Sequence, residues 1–371
     1  MEKHLHIICL DVPYPPDYGG VFDLFYKLRY LKERGVQVIL HCFEYGRGQQ
    51  TVLNEYCTKV FYYKRKTGIQ SISLTVPYIV KSRVDKRLLQ NLSADNYPVL
   101  LEGTHCTFLL WKNKLKDRKV LLRLHNIETD YYLQMTVNTD NLFRKLYYWN
   151  ECRLLKKYEP CIMRRADSIL TVSEKDAKQL KSFAKQVDYL PVFTGWNNIT
   201  SRPGTGNYCL YHGNLSVAEN ESAALWLIES VFPELKIPLK IAGKNPSQKL
   251  INAASGYLHI EIISNPADAE MEHLINEAQI NLLPSFSSTG VKLKLLHAVF
   301  CGRYCIVNKM TAEGTGLETT CIFAENEKDF QDQINLVYHT PFTQTQIEIR
   351  KNLLQLHYNN GINADKLIAM M

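Results

Sequence analysis

The stretch 281–318, NLLPSFSSTGVKLKLLHAVFCGRYCIVNKMTAEGTGLE, constrains this chain more than any other. An apolar run ends at Pro284, and a Ser/Thr/Gly loop leads into a helix that opens at Gly290 and carries Lys292, Lys294 and His297. A second apolar run, 304–308, enters another loop-to-helix turn at 311–316. Two strands of this length in one direction must be joined by a crossover, so the pattern predicts part of a parallel sheet. Such units gather helix N-termini and loop amides at the carboxyl edge of the strands, where a phosphorylated ligand accepts their N–H groups.

The same alternation begins at the amino terminus. A short apolar strand, 4–10, is followed by the loop DVPYPPDYGG and by a segment, 21–34, in which Val21, Leu24, Phe25, Leu28 and Leu31 recur at helical spacing until Gly35 stops it. The loop lacks the spaced glycines of a dinucleotide fingerprint, which argues against NAD. Gly19 and Gly20 remove side chains where the helix begins and so open its amides to a ligand; a tight turn packed under a neighbouring loop is the other explanation. Apolar runs at 59–63, 98–101 and 120–124 read as further strands. Two strand ends carry polar clusters, Glu102 to His105 and His125 to Glu128, and polar groups at that edge are placed to bind. His125 and Glu128 are read as site residues, and His105 stays undecided.

The segment 141–165 reads as one long helix, interrupted late by Pro160, with cations at Arg144, Lys145, Arg153, Lys156, Lys157, Arg164 and Arg165. It offers a contact for anionic phospholipid head groups. A solvated face is the alternative, because Glu151 and Glu159 dilute the charge. From 191 to 207 the chain turns rich in Pro, Gly, Thr and Asn without periodicity, which predicts a linker. Beyond it, apolar runs at 208–211, 239–242 and 258–263 precede the opening stretch, and 329–338, 344–356 and 363–371 read as helices.

At 371 residues the chain suits two domains. No apolar run approaches the roughly 20 residues that span a bilayer, and the amino-terminal run is too short for a secretory signal, so a cytoplasmic protein is expected. The ten cysteines show no zinc-type pairing and read as free thiols. A net charge of +7 fits an anionic partner or substrate as well as simple solubility. No metal is expected, since the second domain lacks an Asp-x-Asp or clustered ligand motif.

In order and spacing, PPDYGGVFDLFYKLRYLKERG, LRLHNIETDYY, DSILTVSEKDAKQL, YHGN and GVKLKLLHAVFCGRYCIVNKMTAEGTGL resemble the GT-B glycosyltransferases, in particular the family 4 group of retaining, metal-independent enzymes of bacterial surface polysaccharides. The resemblance implies two Rossmann-like domains facing across a cleft: 1–190 for the acceptor, the linker 191–207, 208–350 for a nucleotide sugar, and a last helix, 351–371, returning to the first domain. It further implies that no cofactor is needed, that the substrates are a nucleotide sugar and a glycan or lipid-linked acceptor, and that nucleic acid is not a partner. Residue by residue, it puts Gly19, Gly20, Gly213, Asn214, Thr289, Gly290, Lys292, Lys294, His297, Glu313 and Gly314 at the donor. Asp17, Tyr18, Glu102, Asn126 and Glu128 go to the acceptor, and His125 lies near the reacting sugar.

The family's two donor-contacting glutamates are replaced here by Thr289 and His297, and the Arg and Lys that often follow the first strand of the donor domain are missing after His212. Lys292 and Lys294 therefore stand as the leading phosphate ligands. A weak or inactive scaffold that binds a glycan or a partner transferase is the alternative function.

Overall fold

A computed structural model describes residues 2–139, 141–287 and 290–371. Thr289 lies outside the described residues. The chain forms two compact units, one running to Gly195 and completed by Tyr358–Met371, the other Trp196–His357.

Strands β1 (His4–Cys9), β2 (Gln37–Glu44), β3 (Lys59–Lys64), β4 (Val99–Glu102), β5 (Val120–Leu124), β6 (Ser168–Thr171) and β7 (Val187–Tyr189) form the first sheet. All pairs are parallel, in the order β3-β2-β1-β4-β5-β6-β7. Strands β8 (Cys209–Asn214), β9 (Leu239–Lys244), β10 (Ile260–Ser264), β11 (Ile280–Leu283), β12 (Tyr304–Val307) and β13 (Ile322–Phe323) form the second, ordered β10-β9-β8-β11-β12-β13 and also parallel. Central strands such as β4, β11 and β12 are buried at every position, as expected of sheets covered by helices on both faces. The strand order reverses between β1 and β4 and again between β8 and β11. These are the switch points at which doubly wound sheets open a crevice.

The last helix, Asn360–Ala369, packs on the first, Gly19–Glu33, burying Ala364 and Leu367 in the same core as Leu24, Leu28 and Leu31. Arg34 and Asp365 pair at 2.6 Å beside it. The segment expected as a loose linker is partly core: Phe193 and Thr194 are fully buried. Its polar backbone explains why. The Phe193 amide donates to Asp23 Oδ1 at 2.8 Å, and Thr194 exchanges two hydrogen bonds with the Asn360 side chain, at 2.9 and 2.8 Å.

Three expectations are corrected. The long helix, Leu142–Met163, runs through Pro160, and its acids Glu151 and Glu159 do not dilute an outer charge because both are buried. The helix after β11 begins at Leu293, because Gly290 takes a left-handed φ of 64° and Lys292 is an extended cap. The 313–316 turn does not start a helix. The short helix Lys309–Ala312 ends there, Glu313 is its C-cap, and Gly314 and Gly316 take φ of 80° and 74°. No helix among the described residues is long and apolar enough to cross a membrane.

Candidate functional site

Each sheet carries a cluster of polar side chains at its switch point. In the first unit Asp23 and Lys27 stand one turn apart on helix Gly19–Glu33, beside its apolar stripe, and both are fully buried. Lys27 Nζ donates to Asp23 Oδ2 at 2.9 Å and to Glu102 Oε1, at the end of β4, at 2.6 Å. Arg123, the one charge in the β5 run VLLRL, donates to both Asp23 oxygens at 3.1 and 3.0 Å and also holds the Leu190 and Pro191 carbonyls. Two cations facing two carboxylates at hydrogen-bond distance make this degree of burial tolerable.

His125 follows β5, with Nε2 3.0 Å from Glu102 Oε2. Burial alone would raise both carboxyls; Arg123 and Lys27 hold Asp23 well below its ordinary value, and Lys27 and His125 lower Glu102. Since Glu102 is ionised and can only accept, Nε2 is the donor in this bond, and Nδ1 is the ring nitrogen left to meet a ligand. The His125 side chain is 16% exposed, so a ligand hydroxyl can reach it. Asp23, Glu102 and His125 also bring possible ligand atoms within 4.8 Å of one another. A metal ion fits poorly there, because Lys27 and Arg123 already occupy the carboxylates.

Glu128 opens the helix Glu128–Val137 and is buried. Burial, and then the neighbouring Glu159 charge, pushes its carboxyl up to about 8, so at neutral pH it is an acid able to donate one hydrogen bond. Glu159 fixes this turn: its carboxylate accepts from the amides of Glu128 and Thr129, each at 3.0 Å, and from the Thr129 and Thr104 hydroxyls at 2.6 and 3.0 Å. His105 Nδ1 lies 3.9 Å from Glu128, and burial and then Arg83 push that ring toward neutrality. Asn126 is half-buried in the bend between β5 and this helix.

The other acceptor-side positions lie in the loop before the first helix. Arg47 pairs with Asp17, donates to the Pro15 carbonyl at 2.6 Å and lies over the Tyr18 ring at 5.0 Å, while the Tyr18 hydroxyl donates to Asp11 at 3.2 Å. The loop is thus braced from outside the helix start. A Cβ added at Gly19 would meet nothing within 4 Å, and one at Gly20 only the Tyr18 ring edge at 4.0 Å. The helix N-terminus, which has no side-chain cap and no first-turn acid, therefore borders open space rather than a packed loop.

In the second unit Lys294 sits between β8 and β11, where strand order reverses. Its Nζ donates to the Tyr211 hydroxyl at 3.2 Å, to Asn220 Oδ1 at 3.3 Å and to the Pro284 carbonyl at 3.3 Å. Burial pulls its pKa down to about 8, with Glu219 raising it and Lys292 lowering it further. Lys292 pairs with Glu219 at 3.2 Å, and the same carboxylate oxygen accepts from Ser285 Oγ at 2.5 Å. Gly213 and Asn214 end β8. A Cβ on Gly243 would lie 1.8 Å from the Gly213 carbonyl, so only glycine lets the ends of β8 and β9 meet this closely. Asn214 Oδ1 accepts from the Ser216 amide and hydroxyl at 3.1 and 2.7 Å.

His297 stacks on Trp196 at 4.5 Å and meets His212 edge-on at 6.0 Å. The Nε2 atoms of both histidines are buried without a hydrogen-bond partner. Burial lowers His297 to about 4 and takes His212 well below its usual value, so both rings are neutral. Gly314 donates its amide to Glu318 at 2.8 Å, and the Glu313 and Thr315 amides bond to Lys309 and Ala312. These amides are satisfied within the turn, contrary to the expected helix-start donors. Gly290 precedes the helix rather than opening it. Asp23, Lys27, Arg123, Glu159, Tyr211, Asn220 and Glu219 were missed from sequence. The signal available for Arg123 was a charge inside an otherwise apolar strand.

Residues 206–340 match the family model described as glycosyl transferases group 1. An uncharacterized 44.6 kDa protein in the cps region of Klebsiella pneumoniae is 27% identical over 327 residues, covering 84% of each chain. A glycosyltransferase from Rickettsia africae ESF-5 superposes with a TM-score of 0.65 at 13% identity, over 100% of this chain and 98% of that one. A mutant of TarM from S. aureus, solved with UDP and alpha-GlcNAc-glycerol, gives 0.68 at 9% identity over 99% of both chains. An E. coli structure described as trehalose-6-phosphate bound with UDP-2-fluoro glucose gives 0.64 at 10% identity over 99% and 98%.

Proposed function

We propose that this chain, whose residues 206–340 match the group 1 glycosyl transferases and whose two parallel sheets share the fold of solved glycosyltransferases, moves a sugar, with retention, from a nucleoside-diphosphate donor to a glycan or lipid-linked acceptor. The observation that carries the proposal is Lys294, an ammonium held in a low-dielectric position at the switch point of the matched domain. As the sugar–phosphate bond breaks, negative charge grows on the departing diphosphate, and a cation already placed and partly desolvated stabilises that state most. Lys292 adds a second charge from the helix cap. The two lysines do the work a metal would otherwise do, so the reaction is proposed to be metal-independent.

In the first unit, His125 offers Nδ1 to a sugar hydroxyl while Glu102 and Lys27 hold the ring, and the protonated Glu128 offers a hydrogen bond to the acceptor. No protein base is required for retention if the leaving phosphate oxygen takes the acceptor proton on the same face. The cps-region relative supports a role in surface polysaccharide synthesis, and the donor side of that work is proposed to be cytoplasmic.

A glycan-binding scaffold is the competing reading, favoured by a neutral His297 where the resemblance leads one to look for a carboxylate. A thermal-shift panel of UDP- and GDP-sugars separates the two. An enzyme melts higher with one donor and hydrolyses it slowly to water, and Lys294→Ala removes the shift and lowers turnover by about a hundredfold or more. Response to glycans alone establishes the scaffold. The anomeric configuration of the product, read by NMR, tests retention.

A further inference from the structure

The long helix Leu142–Met163 keeps an outer face that nothing among the described residues covers. Leu142, Phe143, Leu146 and Trp149 are 74, 86, 65 and 57% exposed. At 3.6 residues per turn, Leu142, Leu146 and Trp149 share one side of the helix with Arg153, Lys156 and Arg164. The opposite side, Glu151, Leu155, Tyr158 and Ile162, is buried. The outer face is therefore apolar in its first half and cationic in its second.

The two acids of this helix are spent inward. Glu151 accepts the amides of Tyr78 and Ile79 at 2.8 and 3.3 Å, and Glu159 caps the turn at Glu128. Among the described residues, Arg144, Lys145, Lys156, Lys157 and Arg164 have no carboxylate partner. Further apolar side chains are exposed in the loop before Tyr78, which meets this helix at Tyr147 and Glu151 rather than on the outer face. Tyr78 meets Tyr147 edge-on at 6.0 Å, and its hydroxyl accepts the Gly68 amide at 3.0 Å, so the loop between Gly68 and Tyr78 rests against the same helix. That loop exposes Ile69, Ile72 and Leu74 by 86, 64 and 85%.

We propose that this face of the first unit docks on an anionic lipid surface, with the apolar side chains entering the headgroup–acyl boundary and the lysines and arginines meeting lipid phosphates. Charge complementarity commits the face to that occupant. A patch in which large apolar side chains continue into cations of one sign, with both acids withdrawn, matches a layer that is apolar inside and negative at its rim. No residue of it belongs to the Lys294 cluster, so the proposal stands or falls apart from the donor reading.

The test is co-sedimentation of the full chain with phosphatidylcholine vesicles, with and without phosphatidylglycerol. Binding is expected with the anionic vesicles and is expected to weaken with salt. The double variant Leu146→Glu/Trp149→Glu and the double variant Lys156→Glu/Lys157→Glu should each reduce partitioning by about tenfold or more. Unchanged melting temperature and unchanged donor hydrolysis in water show that each variant is folded and that the donor site is intact. No binding by the wild type, or equal binding by the variants, overturns the proposal. So does a wild-type dimer that either variant converts to monomer, since the face would then be covered by a second copy.

Discussion

The properties that matter chemically belong to a few residues taken out of water. Lys294 titrates at about 8 because burial penalises its charged form more than Glu219 supports it. The ammonium is the form that binds diphosphate. Below pH 8 it is already present, and above pH 8 binding must first take up a proton. Affinity for the nucleoside diphosphate that answers the panel should thus be nearly flat from about pH 7 to 8 and fall by up to about tenfold per pH unit above that. Calorimetry in buffers of different ionisation enthalpy should record proton uptake in the falling region. Affinity that stays flat to pH 10 would mean the diphosphate does not engage this amine. Lys294 itself was legible in the sequence, as a cation on a loop-to-helix start. Its depressed pKa was not, because Tyr211, Asn220 and Pro284 come from three other segments.

Among the elements, the long helix shows how a local reading goes astray. Its pattern announced a helix, and Glu151 and Glu159 looked like surface charges at i, i+8. Both face inward, each serving as the N-terminal cap for a segment distant in sequence. A carboxylate that accepts four hydrogen bonds cannot be removed lightly. Glu159→Ala should destabilise the first unit by about 2–4 kcal/mol in urea, with an unchanged m-value, because the Glu128 and Thr129 amides and two hydroxyls lose their acceptor together. A cost below about 0.5 kcal/mol would show that water replaces the cap. The 313–316 turn teaches the converse lesson: glycines that read as a helix entrance are left-handed residues closing one.

For the molecule as a whole, the last fourteen residues, 358–371, complete a unit whose other residues end at Gly195. Ending the chain at His357 removes Ala364 and Leu367 from the core containing Leu24, Leu28 and Leu31, and removes Asn360 from Thr194. Hydrogen exchange in Gly19–Glu33 should then accelerate by about a hundredfold or more, while β8–β12 keep their protection. Equal acceleration in both units would mean that they unfold as one.

The sequence by itself determined the two parallel sheets, because runs of apolar residues of strand length separated by helical periods have few other ways to be buried. It also determined that Lys292, Lys294, His125 and Glu128 fall at carboxyl edges of strands. Tertiary structure alone decided which charges are buried together. Asp23 and Lys27, Glu102, and Arg123 come from three distant segments, and their burial is tolerable because Arg123 and Lys27 put positive charge about 3 Å from Asp23 and Lys27 lies 2.6 Å from Glu102. Periodicity records which side of an element meets the core; it does not record which distant group is waiting there.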